Sequence, residues 1–416
     1  MAKTAPPKAV LEQIIKTIPT PFHLYDERTI REHARTLNHA FSWNVGFREY
    51  FAVKATPTPA ILKIMKEEGC GVDCASLTEL MLAEACGFSG DEIMFSSNMT
   101  PAEEYIYARK LGAIINLDDY TQVDFLEKTT GLPELVGLRL NPGELMGNSN
   151  FVMGEPSAAK FGMTEAQLFG AVERLSSKGV KRFALHSFLV SNALGTDYYP
   201  AIAQLLLKLA VEIQSQFGVS VEIVNLSGGV GIPYLPEETA PDIATIGEKV
   251  HKSYDELIPD KNIKIATELG RYMTGAAGYL VTTAVHKKNI YRKYIGLDSS
   301  AVDLMRPAIY GAYHHITIAG KENAPLTTKY DVVGALCENN DKFAVDRMLP
   351  NTEIGDIVVI HDTGAHGHSM GYNYNGKLRC AEVLLKEDGS FELIRRAQTP
   401  ADYFSTLNFL PLDLPK

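Results

Sequence analysis

Residues 48–87, REYFAVKATPTPAILKIMKEEGCGVDCASLTELMLAEACG, contain the order of elements that decides the fold. The run REYFAVKA is strand-like, because apolar and β-forming residues dominate it and a loop follows. PTPAILKIMKEEG comes next, with helical spacing between an opening proline and a closing glycine. GVDCAS and LTELMLAEACGF then repeat this order. A strand followed by a helix, twice over, predicts parallel strands joined by helices.

The same unit recurs along the chain as far as residue 285. The further strand-like runs are DEIMFSS, AIINLD, LVGLRLN, RFALHSFLV, VEIVNLSGG and KIATELGRY. Eight such runs over roughly 240 residues have the length and rhythm of a (β/α)8 TIM barrel, which we assign to residues 30–285. An open, doubly wound sheet is the alternative, since periodicity alone does not distinguish the two.

The pattern changes after residue 285 to short strand-like runs separated by turns. These runs are KYIGLDSS, HHITIAG, TKYDVVGAL, GDIVVIHD, LRCAEVLLKE and SFELIRRA. The N-terminal run TPFHLYD is also strand-like and could join them. We therefore predict a second, mainly β domain (a sandwich or barrel) built from residues 1–29 and 286–416.

Composition and charge restrict the possible functions. With 416 residues, 45% hydrophobic and 22% charged, the chain has the size of a two-domain globular protein. A net charge of −10 gives no general attraction to nucleic acid or to an anionic membrane. The N-terminus lacks the apolar core of a signal peptide, and no stretch is apolar enough to span a bilayer. We expect a cytoplasmic protein.

The cysteines give no metal-site pattern. The five are scattered, and no second ligand pair follows Cys70 and Cys74, whose spacing could otherwise suggest zinc. Reduced thiols in a reducing cytosol are the simpler interpretation. We predict no metal.

In a TIM barrel, functional side chains lie at the C-terminal ends of the strands, and Lys54 follows the first of them. Partial burial there would lower the pKa of a lysine, which suits a Schiff-base nucleophile. A lysine that extends to solvent at the barrel rim is the simpler alternative. Asp73, Ser76 and Glu79 lie at the next junction of strand and helix, where helix capping alone explains Ser76 and Glu79.

Two later strand ends carry further candidates. Gly228, Gly229 and Gly231 could close backbone N–H groups around a phosphate, although a tight strand–helix turn needs glycine equally. Glu268 could keep a heteroaromatic nitrogen protonated, and an ordinary ion pair with Arg271 is the alternative.

The second domain contains residues that are ordinary one by one. They are Arg306, Tyr310, Cys337, Glu338 and Tyr374. Combined with a phosphate loop and a Schiff-base lysine, they predict a site for a charged amino acid.

Seven segments in this order resemble the decarboxylase branch of the alanine-racemase-like pyridoxal-phosphate enzymes (fold type III). They are most similar to the diaminopimelate decarboxylase family, from TPFHLYD to IRRAQTPADYF. The segments are YFAVKA, GVDCAS, NLSGGVGI, ELGRY, DLMRPAIYGAYHHI, GALCENND and GYNYNGKLRCAEVLL. Their joint occurrence is far more specific than any one motif.

This resemblance implies a pyridoxal 5'-phosphate cofactor. Lys54 would bind its aldehyde, and Glu268 would pair with its pyridine nitrogen. Its phosphate would lie against Gly228, Gly229 and the backbone after Glu268, with Ser191 nearby. The other implied cofactor contacts are Asp73, His186, Phe188, Gly270, Arg271 and Tyr374.

The resemblance also implies a substrate and an assembly. Arg271, Arg306 and Tyr310 would hold a distal carboxylate, and Glu338 a distal ammonium, which together match meso-2,6-diaminopimelate as substrate and L-lysine as product. Cys337 would reach the active site of a partner subunit and return a proton, so that a homodimer would share its sites.

The chain departs from the family pattern at five positions. Phe188 replaces a histidine that stacks on the cofactor, Val190 and Ser227 replace glycines, Leu269 replaces a proline, and Asn339 replaces a serine. These changes indicate a divergent branch and affect the substrate assignment more than the cofactor assignment.

Three alternative functions follow from the same residues. A decarboxylase of ornithine, lysine, arginine or carboxynorspermidine would keep the cofactor residues without the paired arginines. A racemase usually sets an arginine at the pyridine nitrogen, so Glu268 argues against one. A non-catalytic cofactor-binding protein would resemble the barrel alone, so the β domain with Cys337 and Glu338 argues against that class.

Overall fold

The computed structural model of the chain describes residues 3–143, 158–188 and 190–408. The strands are β1 (Phe22–Asp26), β2 (Arg48–Ala52), β3 (Gly71–Cys74), β4 (Ile93–Phe95), β5 (Ile114–Leu117), β6 (Leu135–Arg139), β7 (Arg182–His186), β8 (Ser220–Asn225), β9 (Lys264–Thr267), β10 (Gly278–Asn289), β11 (Lys293–Leu297), β12 (Ile316–Ile318), β13 (Thr328–Val333), β14 (Lys342–Leu349), β15 (Ile357–His361), β16 (Ala381–Leu385) and β17 (Phe391–Arg395). The helices are α1 (Lys8–Ile15), α2 (Glu27–Ala40), α3 (Pro59–Glu67), α4 (Leu77–Ala85), α5 (Ala102–Leu111), α6 (Gln122–Thr130), α7 (Glu165–Ser177), α8 (Tyr198–Phe217), α9 (Ile243–Leu257), α10 (Arg271–Thr274), α11 (Arg306–Tyr310) and α12 (Pro400–Phe404).

The chain divides into two units. The barrel unit consists of Arg31–Ile232 and Ala240–Met273. The sheet unit consists of Met1–Ile30, Pro233–Thr239 and Thr274–Lys416. None of the helices in the described ranges combines the length and apolar character needed to cross a bilayer.

Strands β2 to β9 form a closed barrel of eight parallel strands. Its seam is the parallel pair β2–β9, in which Arg48 lies opposite Ala266 and Glu49 lies opposite Thr267. The predicted TIM barrel is confirmed, and the open-sheet alternative is wrong, because an open sheet would leave β2 and β9 as separate edges.

Local sequence explains why each strand gives way to a helix. Every residue of β3 and β5 is buried, as expected of parallel strands that are covered on both faces. Helix α3 begins at Pro59, and Gly69 adopts a φ of +81° just after its end. Ser76 caps α4 by accepting a hydrogen bond from the Glu79 N–H, as predicted. Six strands contribute one buried residue each to a barrel core of Tyr50, Met94, Ile114, Ala184, Ile223 and Ala266.

The sheet unit contains a nine-stranded sheet. The strand order is β14–β13–β11–β10–β1–β16–β17, and β15 pairs with both β10 and β12. The N-terminal strand β1 runs antiparallel to β10 and parallel to β16. The prediction that TPFHLYD joins a mainly β domain is therefore confirmed.

Two strands and the boundary between the units differ from the prediction. Neither β10 nor β14 was predicted as a strand, and the predicted boundary between residues 285 and 286 falls inside β10. The structure places that boundary before Thr274 and adds Pro233–Thr239 to the sheet unit. The apolar first half of β10 directly follows the last barrel strand and its short helix, so the sequence shows no break there. The predicted strand RFALHSFLV ends at His186, and its Leu189 lies outside the described residues.

Candidate active site

Lys54 lies just past the end of β2, in the short 3-10 turn Val53–Ala55. Its Nζ donates a hydrogen bond of 2.9 Å to Oδ2 of Asp73 on β3, and Asp73 is fully buried. The Lys54 side chain is half exposed. Desolvation opposes the charge on its amine, but the attraction of Asp73 outweighs it, and the pKa of Lys54 is raised. The prediction of a lowered pKa is wrong, because the buried carboxylate of Asp73 was not foreseen as its partner. The amine is held charged at the barrel mouth in this state of the protein.

Glu268 follows β9 and is 5% exposed. Its Oε1 accepts hydrogen bonds from Asn225 Nδ2 at 2.6 Å and from Ser96 Oγ at 3.3 Å. Its Oε2 accepts one from Ser227 Oγ at 3.0 Å and lies 3.2 Å from His186 Nε2. Burial alone would raise the pKa of this carboxyl, but His186, Lys54 and the donor groups together lower it. Glu268 is thus a buried carboxylate that stays ionised.

The glycine turn after β8 is closely packed against neighbouring backbone. A Cβ on Gly228 would lie 2.8 Å from the Glu268 carbonyl oxygen, and one on Gly229 would lie 2.8 Å from that of Val190. Gly229 also has a φ of +120°. The N–H groups of Gly228 and Gly229 donate to no atom of residues 3–143, 158–188 and 190–408. This turn therefore presents free backbone donors, as an anion cradle requires.

Ser227 precedes this turn in a left-handed conformation, with a φ of +58°. A side chain there costs about 1–2 kcal/mol relative to glycine. The hydrogen bond from Ser227 Oγ to Glu268 offsets this cost, and the Tyr199 hydroxyl donates to the Ser227 carbonyl oxygen at 2.6 Å. The replacement of glycine by Ser227 therefore adds a hydrogen-bond donor to Glu268.

Four further predicted residues lie on the barrel unit, and one of them, Phe188, borders the glycine turn. Phe188 lies with its ring 3.5 Å from the Cβ position of Gly228 and 6.0 Å from the Arg139 guanidinium carbon. Arg271 is 7% exposed, and its Nη2 donates to Ser191 Oγ at 3.5 Å. A Cβ on Gly270 would lie 2.8 Å from that of Ala55, beside Lys54. The barrel unit therefore collects all the cofactor residues predicted within its range.

The remaining predicted residues belong to the sheet unit. Arg306 begins α11, is 7% exposed, and has its guanidinium carbon 5.3 Å from the centre of the Tyr234 ring. Tyr310 ends the same helix and is partly buried. This short helix therefore presents an arginine and a tyrosine one turn apart.

Cys337 and Glu338 lie in the exposed connection between β13 and β14. The Cys337 N–H donates to Asn375 Oδ1 at 2.6 Å. Asn375 adjoins Tyr374, which is 47% exposed. The structure thus brings two loops of the sheet unit together, and three of the predicted residues lie on them.

Comparison with known proteins identifies the family. Residues 27–275 match the family model described as pyridoxal-dependent decarboxylase, pyridoxal binding domain. The chain belongs to the pyridoxal-dependent decarboxylases. It is 41% identical to Protein TabA of Pseudomonas amygdali pv. tabaci over 97% of this chain and 95% of that protein. It is 33% identical to a diaminopimelate decarboxylase of Methanothermobacter thermautotrophicus, over 92% of this chain and 90% of that protein.

Solved structures of similar decarboxylases share the whole fold. The diaminopimelate decarboxylase of M. jannaschii superposes with a TM-score of 0.88 at 27% identity, covering 96% of this chain and 94% of that chain. The enzyme of Helicobacter pylori, complexed with L-lysine, has a TM-score of 0.87 at 25% identity, covering 95% and 98%. The similarity therefore includes both the barrel and the sheet unit.

The cofactor of this decarboxylase family is pyridoxal phosphate, and the residues of the barrel unit fit it. The free N–H groups of Gly228 and Gly229 suit a phosphate, and the ionised Glu268 suits a protonated ring nitrogen. Asp73 Oδ1 and His186 Nδ1 are buried and have no hydrogen-bond partner within the described ranges. Such groups leave room for a polar ligand.

Sequence reasoning missed several polar residues of this decarboxylase site. Ser96, Asn116 and Asn225 form the hydrogen-bonded surroundings of Glu268, with Asn116 Nδ2 donating to Ser96 Oγ at 2.8 Å. Arg139 forms a buried ion pair with Asp118 at 3.0 Å. All five lie within one residue of the end of a barrel strand, so strand-end position was the signal that could have identified them.

Proposed function

We propose that this decarboxylase converts meso-2,6-diaminopimelate to L-lysine and CO2, the last step of lysine biosynthesis. The ionised, fourfold-contacted Glu268 in the same barrel mouth as the charged Lys54 supports the decarboxylation chemistry, and the two buried arginines Arg271 and Arg306 support the substrate. A carboxylate held in this way favours a protonated pyridine nitrogen, which decarboxylation requires.

Each barrel residue then has a defined task. Bound pyridoxal phosphate supplies the electron sink into which the bond to the lost carboxylate is delocalised. Lys54 would hold the cofactor covalently through its amine, and Asp73 would keep that amine oriented. Gly228, Gly229 and Ser191 would bind the phosphate, while Glu268 would retain the proton on the ring nitrogen.

The aromatic and imidazole groups would fix the ring from its sides. His186 would hold Glu268 in place through its contact of 3.2 Å. Phe188 would pack against the ring face in place of the usual histidine, and Tyr374 would line the cofactor.

Substrate selection would depend on two buried arginines. Arg271 and Arg306, each 7% exposed, would bind the distal carboxylate, because guanidinium presents paired donors. Tyr310 would donate to the same group, and Glu338 would bind the distal ammonium. The complex of the H. pylori diaminopimelate decarboxylase with L-lysine supports this assignment, because L-lysine is the proposed product.

We further propose that Cys337 returns the proton after CO2 leaves, and that it does so in the active site of a partner subunit. Its exposed position suits a group that completes a second subunit's site. A homodimer would then be the active form, with each site built from both chains.

The deciding experiment measures CO2 release by the purified protein with added pyridoxal phosphate. meso-Diaminopimelate is compared with L-ornithine, L-lysine, L-arginine, carboxynorspermidine and the D-isomers of the first three. The proposal expects a strong preference for meso-diaminopimelate, with L-lysine formed in equal amount. Turnover only of the other amino acids, with none of meso-diaminopimelate, would overturn the proposed roles of Arg271 and Arg306. The proposed roles of Lys54 and Glu268 would still stand.

A decarboxylase of another basic amino acid is the second candidate. It is favoured by the Phe188 and Ser227 replacements, which alter two positions next to the glycine turn. If this second candidate is right, the same CO2-release assay should show turnover of a substrate that lacks the distal carboxylate.

A further inference from the structure

Glu49 on β2 is a fully buried carboxyl group that none of the roles above uses. It lies at the barrel seam, directly opposite Thr267 of β9. A buried carboxyl group is costly unless hydrogen bonds satisfy it, and an apolar side chain would fill the same space without that cost. Its presence here therefore calls for a specific role.

The two oxygens of Glu49 bind the residues on both sides of Glu268. The Thr267 hydroxyl donates to Oε2, and the Leu269 N–H donates to Oε1 at 2.7 Å. Successive side chains of an extended chain alternate in direction, so Glu49 acts on Glu268 through the backbone and not by direct contact.

Two further hydrogen bonds hold the backbone at Glu268 and Leu269. Its N–H donates to the Ser227 carbonyl oxygen at 2.8 Å, and the Leu269 carbonyl oxygen accepts from the Ala52 N–H at 3.4 Å. The Thr267 hydroxyl, the Glu268 N–H and both backbone polar groups of Leu269 are therefore bound by residues of β2 and of the turn after β8. This arrangement defines where the Glu268 carboxylate can lie.

We propose that Glu49 is a positioning residue, which binds the Thr267 hydroxyl and the Leu269 N–H on either side of Glu268 and so fixes the Glu268 carboxylate toward the pyridine nitrogen. The inference rests on the proposed role of Glu268. It also gives a reason for the replacement of proline by Leu269, since proline has no N–H to donate to Glu49. Glu49 and the Leu269 N–H thus act together, through one hydrogen bond, to hold the chain next to Glu268.

The protonation of Glu49 makes the proposal testable with a conservative variant. Burial raises its pKa to about 8; the Thr267 and Leu269 donors oppose this, while Glu268 and Asp73 add to it. The titratable groups that share an electrostatic interaction with it are Cys70, Asp73, Tyr199, Glu268 and Tyr272. With a pKa of about 8, Glu49 is mainly protonated at pH 7, so that one oxygen accepts from the Leu269 N–H and the O–H pairs with Thr267 Oγ. Glutamine can make both contacts, since its oxygen accepts from Leu269 and its NH2 donates to Thr267.

The experiment compares Glu49→Met with Glu49→Gln in the holoenzyme. Methionine keeps the volume but leaves the Thr267 hydroxyl and the Leu269 N–H without their acceptor. We expect kcat of Glu49→Met to fall about 10- to 100-fold with a smaller change in KM, because a displacement near 1 Å at a reacting group has an effect of that size. The pH titration of the visible absorption of bound pyridoxal phosphate should shift as well. Glu49→Gln should keep the parent's kcat and absorption at pH 7.

Glu382→Met in the sheet unit is the matched control, since Glu382 is 1% exposed and accepts a hydrogen bond from Tyr25 at 2.5 Å. It should lower the unfolding temperature without altering kcat or the absorption titration of the folded protein. Glu49→Met with the parent's kcat and titration would overturn the proposal, whatever its unfolding temperature.

If Glu49→Met does not fold, Thr267→Val and Leu269→Pro each remove one donor. Both should shift the absorption titration in the same direction as each other, and parent-like behaviour of both would overturn the proposal. The absorption readout needs no substrate. A parent protein that binds pyridoxal phosphate but releases no CO2 would therefore refute the proposed function and still test Glu49.

Discussion

The mouth of the barrel and the loop that carries Cys337 hold their functional groups in opposite ways. In the barrel, Glu268 and Asp73 are buried and hydrogen-bonded to other side chains. In the sheet unit, Cys337 and Glu338 are exposed, and their described hydrogen bonds involve backbone N–H groups or the side chain of Asn375. The difference indicates that the barrel unit holds its polar groups in place within one chain, and it agrees with the proposal that the Cys337 loop completes the site of a partner subunit.

Within the barrel, two buried carboxyl groups show what sets protonation. Burial pushes the pKa of both upward, yet that of Glu268 is lowered and that of Glu49 is raised to about 8. Interactions with His186 and Lys54 lower the pKa of Glu268, whereas Glu49 has neutral donors and two nearby carboxylates. Neighbouring groups, and not the degree of burial, therefore set the opposite pKa shifts of the two carboxyl groups.

The largest effect is expected from Lys54→Ala, which tests whether this barrel residue holds the cofactor. Turnover should fall by at least about 10³-fold, since the residue that holds the cofactor and orients it is lost. The visible absorption of the bound cofactor should change with it. Lys63→Ala, at an exposed position on α3, is the control and should behave like the parent. An active Lys54→Ala enzyme would contradict the account.

Mixed dimers of Lys54→Ala and Cys337→Ala test whether the exposed loop completes a second chain's site. Each homodimer should be inactive, and mixing should restore roughly a quarter of the parent activity, because half of the dimers are mixed and each has one intact site. The assay is CO2 release after unfolding and refolding the mixture. If both homodimers are inactive and the mixture is too, Cys337 does not act across an interface.

Arg306→Ala tests whether the sheet unit contributes to substrate selection. KM for meso-diaminopimelate should rise about 10- to 100-fold, because a charge-assisted hydrogen bond to a carboxylate contributes about 1.5–3 kcal/mol. Arg174→Ala removes an arginine of similar charge from the surface of the barrel unit and should leave KM unchanged. An unchanged KM in Arg306→Ala would remove the carboxylate-binding role.

The last prediction concerns the free energy of unfolding and tests the protonation of Glu49. The folded state keeps a proton on Glu49 up to about pH 8, whereas the unfolded chain releases it near 4.5. The free energy of unfolding therefore decreases through this group as the pH rises from 5 to 8, by at most about 1.4 kcal/mol per pH unit. Glu49→Gln should gain stability relative to the parent over this range, as measured by urea unfolding. Parallel pH dependences for the two proteins would show that Glu49 is already ionised.

The sequence predicted the barrel and its strand-end residues because both follow from local order. The alternation and number of strands and helices favoured the barrel, which the β2–β9 pair confirms, and Lys54, Glu268 and the glycine turn followed from strand-end position. Strand β14 was missed because KFAVDRML mixes charged and apolar residues without a clean alternation.

The sequence alone did not identify Glu49, because its burial depends on which strand lies next to β2. A glutamate near the start of a strand is usually exposed, and only the pairing of β2 with β9 places it opposite Thr267 and inside the barrel. The ion pair of Lys54 with Asp73 similarly depends on the neighbouring position of β2 and β3, which the sequence predicted, and on side-chain direction, which it did not.

The most direct test of the account is to locate the cofactor on the chain. The holoenzyme is treated with sodium borohydride, which fixes pyridoxal phosphate on the amine that holds it, and the peptides are analysed by mass spectrometry. The account predicts one modified lysine, Lys54, in the peptide that contains YFAVKA. Modification of a different lysine, or none despite bound cofactor, would contradict it.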